Sequence, residues 1–260
     1  MAKIKKWVGP VFLEPIQHKY HHRETGKIYK SVTTTLASIE PHFDSEGVAL
    51  AITKQADNVK QERYIGMSQQ QILDYWQFLN DEANVYGTKV HDIVERYLLA
   101  NKWYFPPDNE EGVFEQKVID GYNALKIDEG QAMWPERILF SEQYQLAGTS
   151  DLIIDINDVF FDVADYKTNR VFNFYNPYGF ETLLKPFDHL QSSQFSIYNL
   201  QLSVYAAMYM LEFPKRKCRQ IYVLYWNRET NTFNKINMPF LKHEAKILMD
   251  MHYYNIMKNG

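Results

Sequence analysis

The hydrophobic period of this chain changes in its middle, and that change restricts the fold more than any single residue does. From about residue 45 to about residue 128, apolar side chains recur at helical spacing. Val90, Ile93, Val94, Tyr97 and Leu98 form one such stripe. Ser68, followed by Gln71 at the third helical position, predicts a capped helix start. Residues 136–169, "ERILFSEQYQLAGTSDLIIDINDVFFDVADYKTN", instead read as three strands, with turn residues at Asn157 and Asp158. A long helix is expected over 188–213, a hairpin around "RETN" over 219–240, and a closing helix over 242–258. Residues 1 to about 45 look irregular or strand-like, with "KIYKSVTTTLASI" turning helical after its Ser/Thr cluster. This order predicts an α/β protein with a mixed central sheet flanked by helices. An N-terminal helical lobe is expected over 1–80 and a core over 81–260, together one structural unit.

Composition narrows the class. With 260 residues, 45% of them hydrophobic, the chain can bury one large core. The net charge of −4 is not that of a basic nucleic-acid binder, but a cluster of metal-binding carboxylates would itself lower the total. Basic residues bunch at Lys3, Lys5 and Lys6 and at Lys215, Arg216, Lys217 and Arg219. A solvated terminus and a helix C-terminus explain them most simply; phosphate contacts are the alternative. The 19 Tyr and 16 Phe read first as core and sheet surface, with base stacking as the functional alternative. Cys218 is the sole cysteine, so a disulfide or a cysteine-ligated cluster within the chain is excluded and a reducing compartment is expected. No apolar run is long enough for a membrane span, and the N-terminus lacks the apolar region of a signal peptide. His18, His21 and His22 sit in a polar stretch without an evident scaffold for a metal.

The chemistry concentrates in "GTSDLI" and "DYKT". Asp165 and Lys167 are two apart in a strand and share a face. If the turn is the three-residue loop 157–159, Ile156 faces Phe160, and the same register sets Asp151 opposite Asp165. A two-residue turn would put the aspartates on opposite faces, so the reading requires the longer loop. Asp162, three residues from Asp165, then faces solvent. Two facing carboxylates repel unless a cation lies between them, and Mg²⁺ takes such oxygen ligands. Lys167 beside it could orient a water or stabilise developing negative charge. A structural Asp–Lys pair is the simpler account of the tripeptide alone. His91 and Glu95 share one helix face, and Gly87 would let that helix approach its neighbours closely. Glu142 is read on the strand before the hairpin. Gln201 and Tyr205 are again four apart on the long helix.

The set "GTKVH" with Glu95, "GTSDLI", "DYKT" and "QLSVY", in that order over about residues 28–210, resembles the PD-(D/E)XK nuclease superfamily and its RecB-like exonucleases. "WQFLNDEANVYGTKVH" and "SVTTTL" look like the branch containing the mitochondrial genome maintenance exonuclease and its phage relatives. The resemblance implies a restriction-endonuclease-like core and a Mg²⁺- or Mn²⁺-dependent exonuclease acting on single-stranded DNA or DNA ends. Asp151, Asp165, His91 and the Tyr166 carbonyl would hold metal, and Lys167 would orient the attacking water. Glu95 and Glu142 take supporting catalytic positions. Gln201, Tyr205, Thr168, Thr88, Ser31 and Thr33 would contact substrate, and Trp76, Tyr86 or Trp103 could stack bases. The sequence departs from relatives in lacking the proline before Asp151, the four-cysteine cluster and a phosphate-binding motor loop. The implied setting is DNA replication, recombination or repair in the cytoplasm of a bacterial or phage-infected cell, with a mitochondrion as the alternative. Recombination or replication proteins are the implied partners. A flap endonuclease and a non-catalytic nucleic-acid-binding module are the rival functions.

Overall fold

The computed structural model describes residues 3–54, 59–100, 109–176 and 179–259. Trp103, expected as a stacking residue, lies outside them. The chain runs β1 (Lys3–Ile4), β2 (Val11–Glu14), β3 (Lys19–His22), β4 (Ile28–Ser31), α1 (Val32–Ala37) and α2 (Ser45–Lys54). A 3₁₀ turn at Val59–Tyr64 leads to α3 (Gln69–Ala100) and α4 (Glu110–Ala124). Then come β5 (Ala132–Ser141), β6 (Leu146–Asp155), β7 (Phe160–Lys167), α5 (Gln194–Glu212), β8 (Lys217–Asn227), β9 (Thr232–Met238) and α6 (Lys242–Asn259). The fold is a mixed α/β sheet flanked by helices, as the pattern of periods predicts. No described helix is long and apolar enough to cross a membrane.

The sheet path is β2-β3-β4-β6-β7-β8-β9, with β5 on the other edge of β6 and β1 beyond β5. β5, β6 and β7 are antiparallel neighbours, whereas β4 runs parallel to β6 and β8 parallel to β7. Two apolar layers enclose the sheet. On one face Phe161, Val163 and Ile153 pack with Leu200 and Val204 of α5 and Leu248 of α6. On the other, Ala164, Tyr166 and Leu152 pack with Val90, Ile93 and Val94 of α3 and Val118 of α4. The helical part of the N-terminal region has a small core of its own, Ala49, Ile52 and Ile72. Its strands β2–β4 extend the main sheet, so the region is more than helical.

Residue 80, where the lobe was expected to end, falls inside α3. Its start has the expected reciprocal cap: Ser68 N–H donates to Gln71 Oε1 at 2.8 Å, and Gln71 N–H donates to Ser68 Oγ at 3.3 Å. The helix expected from residue 188 starts at Gln194, where the Ser193 hydroxyl caps Ser196 N–H at 3.2 Å.

Asp162 corrects an expectation. Its side chain does point to the face away from Asp165, but that face is covered, and Asp162 is 1% exposed. Arg219 of β8 grips it from Nε at 2.9 Å and from Nη2 at 2.6 Å. A buried carboxylate needs such a partner, and strand β8 supplies it from 57 residues away. Arg219→Ala should therefore lower stability by about 2–3 kcal/mol, because it strands a buried charge that water reaches only partly. Urea unfolding is the check; a loss below about 0.5 kcal/mol would show the pair is merely superficial.

Candidate functional site

Strand pairing leaves a gap on one edge of β6. β4 covers Leu146 and Ala147, and β7 covers Leu152 to Asp155. Between them, Gly148 to Asp151 have no strand partner on that edge among the described residues. The register Leu152↔Ala164 carried one step further sets Asp151 against Asp165, as the three-residue turn requires. There the strands part. In place of a backbone acceptor, the Asp151 carboxylate takes the Tyr166 N–H at 2.6 Å. The hydrogen bond ties β6 to β7 across the opening and aims Asp151 into it.

Helix α3 forms the opposite wall. A Cβ at Gly87 would sit 2.9 Å from Thr168 Oγ1, so glycine permits the close approach of helix to strand end. One turn on, His91 Nδ1 lies 3.4 Å from Asp151 Oδ2 with its side chain 30% exposed. Burial alone would lower the imidazole pKa; the Asp151 charge and hydrogen bond, with Asp165, outweigh it and hold the group near 9. Lys167 makes an ion pair with Asp165, and its ammonium lies 4.5 Å from the Tyr198 ring centroid. Burial opposes that charge, but Asp165 and Asp151 win, so Lys167 stays protonated well above neutrality.

The sequence reading missed Glu136. It sits in β5, between the pairs Pro135↔Leu152 and Arg137↔Ser150, and therefore faces Asp151. Its φ is +47°, a left-handed conformation that costs a glutamate about 1 kcal/mol or more and interrupts the ladder at that point. Donor atoms of His91, Glu136 and Asp151 all lie within 4.8 Å of one another. Burial, then Asp151 and Glu95, push the Glu136 carboxyl up to about 8. Burial, then Asp151, push Asp165 up to about 6 despite Lys167. Asp151 itself is held low by His91 and Lys167, against the cost of its burial.

The donor set thus carries more negative charge than its two cations balance. The converging carboxylate oxygens suit Mn²⁺ or Mg²⁺, and the single imidazole nitrogen favours a transition-metal ion over Mg²⁺. A cation seated among His91, Glu136 and Asp151 would offset the burial and the repulsion that together lift the pKa of Glu136. The residues present therefore fit the expected divalent metal.

These groups open on a cavity of about 800 Å³. Glu95, Thr88 and Thr168 also line it, as do Tyr166 and, from the β2–β3 turn, His18. Of the other histidines considered, His21 stacks on Phe12 and His22 Nδ1 accepts from Glu24 N–H at 3.2 Å. Several expected residues lie elsewhere. Glu142 is in the turn after β5, paired with Lys27 at 2.8 Å and hydrogen-bonded by the Tyr29 hydroxyl. Ser31 caps α1 by accepting the Thr34 N–H at 2.9 Å, with Thr33 Oγ1 3.0 Å from its hydroxyl. Tyr205 is 2% exposed and accepts from Gln201 Nε2 at 3.1 Å. A Cβ at Gly148 would lie 2.6 Å from the Tyr205 ring, so the pair supports the hairpin from behind. Trp76 donates to Tyr64 at 2.9 Å within the helical region, and the Tyr86 hydroxyl accepts from Trp226 at 2.8 Å.

No protein-family model matches this chain. No curated protein matches it. Among solved structures, one described as a "Putative exonuclease" from Eubacterium rectale aligns with 90% of this chain and 81% of its own, at 11% identity and a TM-score of 0.37. The crystal structure of SSO0001 aligns with 89% of this chain and 77% of its own, at 14% identity and a TM-score of 0.31.

Metal affinity should rise with pH. Below about pH 9 the cation must displace a proton held by His91, and below about pH 8 one held by Glu136 as well, so Mn²⁺ binding should tighten between pH 6.5 and about 8.5. Calorimetry in two buffers of different ionisation enthalpy measures the released protons. His91→Asn should flatten the slope and Glu136→Gln should weaken binding at least tenfold, while Glu142→Gln should change nothing. Equal loss in the Glu142 variant would contradict this ligand set.

Proposed function

We propose that this protein is a Mg²⁺- or Mn²⁺-dependent deoxyribonuclease that hydrolyses phosphodiester bonds of single-stranded DNA or DNA ends. The observation that carries the reading is the convergence of His91, Glu136, Asp151 and Lys167 on one open cavity, with the buried Asp165 paired to Lys167. The motif order that resembles RecB-like exonucleases supports it from the sequence side. His91, Glu136 and Asp151 would hold the cation, with Asp165 and the Tyr166 carbonyl completing the expected set.

When bound, the cation supplies positive charge to a phosphoryl oxygen and makes water more acidic. The protein's own groups do the rest. Asp165 and Tyr198 fix the Lys167 ammonium at the cavity wall, so it is positioned before substrate arrives. From there it can orient a water by hydrogen bonding and stabilise charge that grows on the phosphate in the transition state. Asp151 is doubly committed, to Tyr166 N–H and to His91, and so keeps its carboxylate aimed and ionised. Glu95, half-buried one turn beyond His91 and raised in pKa by burial and then Asp92, is a further acid–base group on the α3 side of the cavity. Thr88 and Thr168 line the cavity, and their hydroxyls would contact the phosphate backbone.

The test is a time course on 5′- and 3′-labelled single- and double-stranded DNA with Mg²⁺, Mn²⁺ or EDTA. Cleavage with metal and none in EDTA is expected. Lys167→Ala should reduce the rate at least 10³-fold while the far-ultraviolet circular dichroism stays that of the folded protein. A circular single strand should stay intact if an end is required, and its cleavage would make the enzyme an endonuclease. Metal-independent binding without cleavage would instead identify a nucleic-acid-binding module.

A further inference from the structure

The basic run "PKRK" plays no part in the site above, and the fold gives it a different setting. α5, α6 and the start of β8 enclose a second groove of about 710 Å³. Its floor is apolar: Met210, Leu211 and Met249, with Pro214 at one end. Leu211 is 47% exposed there, a large aliphatic side chain left in water. Its rim is cationic, with Arg216, Lys217, Lys242, His243 and Lys246.

The carboxylates near this rim are already engaged. Glu212 holds the buried Arg137 at 2.5 Å and Asp250 holds Lys246 at 2.7 Å, while Glu244 lies 3.4 Å from His189, which balances its charge only when the imidazole is protonated. Arg216 is spent on Asp155 and on the Asn157 carbonyl at 3.3 Å. Lys217 and Lys242 make no ion pair among the described residues and are exposed. In a chain of net charge −4 this is a local excess of positive charge around an apolar trough. The pairing of Lys217 with Phe160 places it at the turn end of β7, five residues from Asp165, or about 17 Å along the strand.

We propose that this groove docks an acidic peptide segment of a partner protein, with one or two large apolar side chains seated on Met210, Leu211 and Met249 and flanking carboxylates on Lys217 and Lys242. Charge complementarity selects the sign of the partner. The floor selects a peptide over nucleic acid, because a phosphate backbone would leave those side chains uncovered in water. The inference does not depend on the nuclease reading, since neither the groove nor its variants touch the cavity at Asp151.

The experiment is fluorescence anisotropy of the full chain with a panel of labelled, amidated ten-residue peptides. Each carries four aspartates and two apolar residues, leucine or phenylalanine, in varied spacing. One control replaces the apolar pair by serine, a second replaces the aspartates by lysine, and a third probe is a single-stranded oligonucleotide. At least one acidic–apolar peptide should bind, and both peptide controls should bind at least tenfold more weakly. Leu211→Glu and Lys242→Glu should each weaken it at least tenfold, with melting temperature and metal-dependent DNA cleavage unchanged. The proposal is overturned if no acidic–apolar peptide binds, or if the serine control binds equally. It is likewise overturned if the oligonucleotide competes for the groove, or if sedimentation shows that Leu211→Glu dissolves a dimer of this chain.

Discussion

One hydrogen bond organises the candidate site: Tyr166 N–H to the Asp151 carboxylate, made where β6 and β7 stop pairing through their backbones. A strand edge left open inside a protein must satisfy its donors somehow. Here a side chain does it, and that same side chain becomes the wall of the cavity. Opening the hairpin and placing a carboxylate in the opening are thus one event. The Gln201–Tyr205 pair backs the same segment at Gly148, and Gly87 brings α3 close enough for His91 to reach across. Both glycines serve that geometry by removing a Cβ that the neighbouring side chain would strike.

The cost of the arrangement is electrostatic. Glu136, Asp151 and Asp165 are gathered around two cationic side chains, and the excess shows as carboxyl groups held protonated to about pH 8 and about pH 6. A chain folding only for stability would put apolar or fully paired groups here, as it does at Asp162 and Arg219 on the other face of the same strand. The contrast between these two buried acids, one fully paired and one left in excess charge, separates a structural ion pair from a site prepared for a cation. The left-handed backbone at Glu136 belongs to the same pattern, since a strained residue persists where the surrounding strands fix it.

Much of this was legible from local rules. Period changes located the strands, the Ser68–Gln71 box located the start of α3, and a turn of three residues was enough to set Asp151 against Asp165. Glu136 was legible by the same arithmetic but required the turn of the preceding hairpin. With Ser141 paired to Leu146, the count places residue 136 opposite 151. Glu142, read on the strand, lies in the turn after it and away from the cavity that Glu136 lines. Asp162 could not be read locally, because its partner arrives from β8, a parallel neighbour set by tertiary packing. The N-terminal stretch reads as strand-like, but its place in the main sheet does not, since β4 joins β6 more than a hundred residues away, across the intervening helices.

The central claim is that the gap between β6 and β7 holds one divalent cation, and anomalous X-ray scattering from crystals soaked in Mn²⁺ tests it directly. The account predicts a single strong peak bounded by His91, Glu136 and Asp151, lost in Asp151→Asn crystals. A peak at Glu142, or none at the gap under conditions where DNA is cleaved, would contradict it.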